Sequence, residues 1–164
     1  MPPPAREDED LSPRLREIPP LLEIKLNGDG LGWIDVTPDR SLYYTPTRAG
    51  RLMKFGSGGN KTLDVKTVDF APIPEVIVDE QGGRRVSPSA SILSLGLQVV
   101  GPSVYIFSVV PGEKKAERAF DVYNRAGQYK HSIPLPGGTS DARFTSDRVY
   151  TITDTSLTAW TSPK

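Results

Sequence analysis

The chain has 164 residues, 20 basic against 20 acidic, a single histidine and no cysteine. That length suits one domain with a real core, and the missing cysteine excludes disulfides, thiolate nucleophiles and thiolate metal sites. Balanced charge removes the electrostatic case for a nucleic-acid partner, and His131 alone cannot build a paired-histidine metal site within one chain.

Taken in order, residues 1–20 read as an extended, polar, Pro-rich arm. Pro2, Pro3, Pro4, Pro13, Pro19 and Pro20 block regular helix and central strand alike. The arm carries an acidic run, Glu7-Asp8-Glu9-Asp10, followed by Arg14 and Arg16, with a short helical turn compatible with Ser12–Ile18. Composition alone describes a disordered tail; as an arm laid along a partner, its contact residues are Arg6, Glu7, Asp8, Arg14, Arg16 and Ile18. The start lacks the basic end and apolar centre of a signal peptide, so cytoplasm is the default location. A place at a membrane surface, reached through a partner, fits the same sequence. No apolar run approaches the roughly 20 residues of a membrane-spanning helix, so no transmembrane segment is expected.

Residues 21–164 read as a single all-β domain. Leu21–Leu26 is a strand and Asn27-Gly28-Asp29-Gly30 a turn, followed by strands Trp33–Val36, Leu42–Thr45 and Leu52–Phe55. Leu63–Phe70 alternates strictly, with Leu63, Val65 and Thr67 on one face. Glu75–Asp79 and Arg84–Val86 flank Glu80-Gln81-Gly82-Gly83, a hairpin signal. Strands then follow at Ile92–Val100, Val104–Val110, Arg118–Tyr123, Gln128–Ile133, Ala142–Thr145, Arg148–Thr153 and Leu157–Trp160, with no long helix.

Three stretches share one grammar: Trp33–Phe55, Leu95–Tyr123 and Ala142–Trp160. In each, a strand and tight turn precede an aliphatic-Tyr pair (Leu42-Tyr43, Val104-Tyr105, Val149-Tyr150), and an aromatic closes the next strand. The phrase Phe120-Asp121-Val122-Tyr123-Asn124-Arg125-Ala126-Gly127, the later Ile133-Pro134-Leu135-Pro136, and Asp147-Arg148-Val149-Tyr150 resemble strands of six-bladed, NHL-like bacterial β-propellers. The resemblance implies antiparallel four-stranded meanders amounting to two and a half to three blades, about half a ring, as an incomplete propeller or an open β-sandwich. It covers roughly residues 30–160 and consists of turn and packing residues, so it implies architecture and no activity.

No motif points to chemistry. Asn27–Asp35 imitates part of a calcium loop, but Lys25 and Val36 fall where carboxylates are needed. Gly56–Gly59 lacks the Lys-Ser/Thr of a phosphate loop. By alternation His131 shares a face with Tyr129 and Ile133, in half-buried packing. The recurring aspartates Asp35, Asp39, Asp64, Asp69, Asp79, Asp121 and Asp141 read as turn ligands. Tyr43 and Tyr44 point to opposite faces, so one of them is expected to be exposed for an interface. The expectation is a non-enzymatic protein–protein interaction module, an accessory or stabilising subunit of a larger complex, with no cofactor and no metal. Its alternatives are a homodimer of half-propellers binding a small sugar or peptide at a central channel, and a hydrolase or lyase using Asp or His131.

Overall fold

The computed structural model of the chain describes residues 31–87, 90–110 and 117–161. Every regular element among them is a β-strand. Strands β1 (Gly32–Val36), β2 (Leu42–Pro46), β3 (Arg51–Phe55) and β4 (Lys61–Lys66) form one antiparallel sheet in chain order. The hairpin β5 (Val76–Val78) and β6 (Arg84–Val86) follows where the sequence signals it; Asp79 accepts from the Gly83 and Gln81 amides, and Gly82 turns at φ 80°. A second meander holds β7 (Ser94–Val100), β8 (Ser103–Val110), β9 (Glu117–Asn124) and β10 (Tyr129–Pro134). The third holds β11 (Asp141–Phe144), β12 (Arg148–Ile152) and β13 (Leu157–Thr161), without a fourth strand among the described residues.

Turn chemistry recurs with the meander. Between β1 and β2 the Asp39 carboxylate accepts from the Thr37 hydroxyl, the Ser41 amide and the Ser41 hydroxyl. The Thr37 bond leads these in holding the Asp39 carboxyl below its ordinary range. Between β11 and β12 the Thr145 hydroxyl donates to Asp147 in the same spacing. Between β9 and β10 Asn124 accepts from the Ala126 and Gln128 amides, and Gly127 sits at φ 76°, open to glycine without strain.

The three meanders stack face to face. One core joins Tyr43 and Leu52 of the first sheet to Leu97, Val104, Ile106 and Tyr123 of the second. The other joins Phe107 and Phe120 of the second to Ala142, Phe144 and Val149 of the third. Strand β8 explains how one sheet serves both: Val104 and Ile106 enter the first core while Tyr105 and Phe107 enter the other. Covered on both sides, it reads as a nearly unbroken apolar run, whereas β1, with one side covered, reads Trp33-Ile34-Asp35-Val36. The architecture is all-β and propeller-like: consecutive antiparallel meanders packed as blades pack, three of them among the described residues.

Three expectations need correction. The alternating run Leu63–Phe70 is strand only to Lys66; the chain then turns so that the Thr67 amide donates to the Gly50 carbonyl and the Gly50 amide to the Ala71 carbonyl. His131 does not share Tyr129's face, because a register shift between them leaves Tyr129 opposite Tyr123 and His131 opposite Val122. Nor is His131 half-buried; it is exposed. The arm at 1–20, the strand Leu21–Leu26 and the turn at 27–30 lie outside the described residues.

Candidate functional site

The Tyr of each repeat fixes an equivalence. Asp35 pairs with Tyr43, Gln98 with Tyr105 and Arg143 with Tyr150, so these three side chains occupy one position in successive sheets. The first two stitch their sheet to the next. Asp35 Oδ2 accepts from the Val99 amide at 2.6 Å, while Gln98 Oε1 accepts from the Phe144 amide at 2.6 Å and its Nε2 donates to the Phe144 carbonyl at 3.4 Å. Val99 and Phe144 are again equivalent, opposite Val104 and Val149. Trp33 Nε1 adds a bond to the Ser94 carbonyl at 3.1 Å. Asp35→Ala strands the Val99 amide, and a loss of about 1–3 kcal/mol is expected in urea unfolding. Arg143→Ala, at the third equivalent position but half exposed, is expected to change stability by less than about 0.5 kcal/mol.

Farther out, two tyrosines cross in opposite directions. Tyr43 donates to the Arg125 carbonyl of the second sheet at 3.4 Å, and Tyr123 accepts from the Val68 amide beyond β4 at 2.9 Å. Burial, reinforced by the nearby Asp121 and Asp69 carboxylates, pushes the Tyr123 phenol up to about 12. The unfolded phenol titrates near 10, so the unfolded chain sheds its proton first and gains relative stability. Stability is therefore expected to be level below about pH 10, to fall from there to about pH 12, and to flatten beyond. Urea midpoints at about pH 9 and about pH 11 measure the slope, which Tyr123→Phe should reduce.

The aspartates are largely engaged in structure. Asp64 binds Arg51 at 2.5 Å and Lys61 at 2.6 Å; burial opposes its ionisation, but these bonds prevail and its carboxyl is held low. Asp121, buried, accepts from Ser132 at 2.5 Å. Asp69 is pushed up, first by burial and then by the Asp121 charge. Among the described residues no group of three or more acidic or histidine side chains is placed to hold a metal ion. A cleft of about 740 Å³ lined by Arg118, Leu135 and Thr139 contains one carboxylate, Glu117, and no imidazole.

Tyr43 and Tyr44 do point to opposite faces, but the expectation of an exposed tyrosine is corrected: both are buried. Tyr43 lies under the second sheet, and Tyr44 lies flat on the space above Gly32, where a Cβ would stand 2.3 Å from its ring, with its hydroxyl donating to the Leu31 carbonyl. The arm residues Arg6, Glu7, Asp8, Arg14, Arg16 and Ile18 lie outside the described residues.

Apolar side chains are exposed along the connection from Val68 to Val78 and, at positions the repeat buries elsewhere, on the two outer sheets. Ile34 and Val36 of β1 are 62% and 59% exposed, although their equivalents, Leu97 with Val99 and Ala142 with Phe144, pack in the two cores. At the other end Ile152 and Leu157 form a cross-strand pair and are 44% and 71% exposed. Phe107 and Phe120, their equivalents in the second sheet, are fully buried. Burying a side chain of this size gains roughly 1.5–3 kcal/mol, which these positions forgo. The β13 edge beside them has no strand partner among the described residues. An incomplete set of blades by itself leads to the expectation of an apolar face and an open edge on each end blade, but not of which residues form them. Superposing the three Tyr positions would have found them, because the same alternation that buries a residue in the second sheet faces solvent in the outer two.

No protein-family model matches the chain, and no curated protein does. Among solved structures there is similarity to a catalytically inactive virginiamycin B lyase from Staphylococcus aureus with quinupristin. The identity is 10% and the TM-score 0.28, over 85% of this chain and 59% of that one. A score this low establishes neither fold nor activity for the present chain. Among the described residues no helix is long and apolar enough to cross a membrane.

Proposed function

We propose that this chain is a non-catalytic protein–protein interaction module, an accessory and stabilising subunit of a larger assembly, whose docking surfaces are its two outer sheets. The observation that supports this reading is the exposure of Ile34, Val36, Ile152 and Leu157 at positions that the repeat buries elsewhere. Blade-like sheets gain stability by covering one another, and an outer blade without a neighbour keeps an apolar face and an open edge toward water. The stack is half of a six-bladed ring of the NHL-like kind, and the N-terminal arm, through Arg6, Glu7, Asp8, Arg14, Arg16 and Ile18, straps it to its partner.

Affinity purification of the tagged chain at its natural expression level, followed by native mass spectrometry, tests the proposal. The expected result is a stoichiometric assembly that Ile34→Asp releases and that deletion of residues 1–20 weakens, with the urea midpoint of the body unchanged. Recovery of a free, single chain under gentle conditions would count decisively against it.

A further inference from the structure

Resting on the reading of the outer sheets as docking faces, we infer that the two faces fit each other: the β1–β4 sheet of one copy docks head to tail on the β11–β13 sheet of a second copy. The chain already contains this interface twice. At each internal junction, the aliphatic or aromatic residues opposite the turn-proximal pair of the following sheet pack on the Tyr-bearing face of the preceding one. Leu97 and Val99 meet Tyr43 and Leu52, and Ala142 and Phe144 meet the second sheet, where the Phe144 ring stacks on Tyr105 at 3.9 Å. Ile34 and Val36 are the same male surface, with no acceptor sheet among the described residues. Tyr150, half-buried, with the exposed Ile152 and Leu157 are the same female surface, with no occupant among the described residues.

The polar stitch agrees. Position Asp35/Gln98 requires an acceptor for the next sheet's amide at Val99 or Phe144. In the third sheet that position is Arg143, which has donors and no acceptor; its Nη1 donates to its own Ala142 carbonyl at 3.5 Å and stands 3.4 Å from where a Cβ on Gly96 of the second sheet would lie. The residue it would meet in a second copy is Val36, whose amide is already held by its own Asp35 Oδ1 at 2.9 Å. What remains to be met there is a carbonyl, as Gln98 Nε2 meets that of Phe144. Turned outward from Ala142 and Gly96, this donor-only side chain meets that carbonyl in a second copy, and it offers nothing to a sheet with a free amide at that height.

Two copies joined in this way bring together six of the stacked meanders, three from each. Such a contact is heterologous, and it forms a closed ring when the rotation closes.

The chain has no cysteine, which makes a clean test. Val36 and Tyr150 stand where Phe144 and Tyr105 stack inside the chain, so Val36→Cys and Tyr150→Cys are prepared as separate full-length proteins. Mixed and mildly oxidised, they should give a non-reducing band of twice the chain mass, while neither gives it alone. Cross-linking of either variant by itself shows a like-to-like contact and overturns the inference. A wild-type dimer by light scattering with no band from the mixture also overturns it, by showing a different interface. A wild-type chain that is single in isolation yet bound by another protein overturns it too, while leaving the interaction-module reading standing. Matched circular dichroism of the two variants secures the comparison.

Discussion

Phe120→Ala is expected to cost about 3–5 kcal/mol, the largest single loss in the molecule, because its ring is the centre of the second core. Phe120 is buried at 1% exposure and contacts three other rings: Tyr105 at 6.1 Å, Phe107 at 5.7 Å and Phe144 at 5.7 Å. Two of these meet it edge to face, with planes at 83°, a geometry that adds to the area term. Removing the ring leaves a cavity between two sheets whose backbones are pinned by strand pairing and by the Gln98 bonds to Phe144, so the walls cannot collapse onto the space. Urea unfolding measures the loss. Phe120→Leu, which keeps most of the volume, should recover more than half of it; equal losses for both would show that the aromatic contacts, and not the filled volume, carry the effect.

Gly50→Ala is expected to destabilise by about 1–3 kcal/mol through overpacking. A Cβ there would stand 2.5 Å from the Phe70 Cα and 2.6 Å from the Asp69 carbonyl oxygen, both backbone atoms. The neighbouring segment cannot simply retreat, since its Thr67 amide and Ala71 carbonyl bond Gly50 itself. Displacing it pulls the Val68 amide from the Tyr123 hydroxyl, which is one of the ties between the first two sheets. The effect of Gly50→Ala should therefore overlap with that of Tyr123→Phe, and a double-mutant cycle should show coupling of about 0.5 kcal/mol or more. Strict additivity would mean that the segment holds its place.

The meanders were legible because their signals are local. Leu42-Tyr43, Val104-Tyr105 and Val149-Tyr150 mark the second strand of each sheet, and Asn124 to Gly127 marks a turn by residue type alone. The β5–β6 hairpin was legible through Gly82-Gly83 for the same reason. What was not legible was long-range. Asp35 meets Val99 across 64 positions, and nothing in the composition around either residue announces it. An exposed tyrosine does not follow from alternation, which assigns a side chain to a face and not to what covers the face: Tyr43 and Tyr44 point to opposite faces and both are buried. The face of His131 was misassigned because one shifted register inverts every assignment beyond it. The outer faces lay between the two cases. Their residues were visible as strand positions, and the stacking order, with the β1–β4 and β11–β13 sheets on either side of the β7–β10 sheet, identified which of them face outward.

The central claim is that both ends of the sheet stack are docking surfaces. Its most direct test is the native mass of the assembly recovered gently with the tagged chain at its natural expression level, wild type beside Leu157→Asp. Leu157 is 71% exposed, so the substitution should leave the fold intact, with a stability change within about 0.5 kcal/mol. The account predicts a wild-type mass greater than that of one chain and a fall toward the single chain for Leu157→Asp. A wild type that runs as a single chain, indistinguishable from the variant, would contradict it.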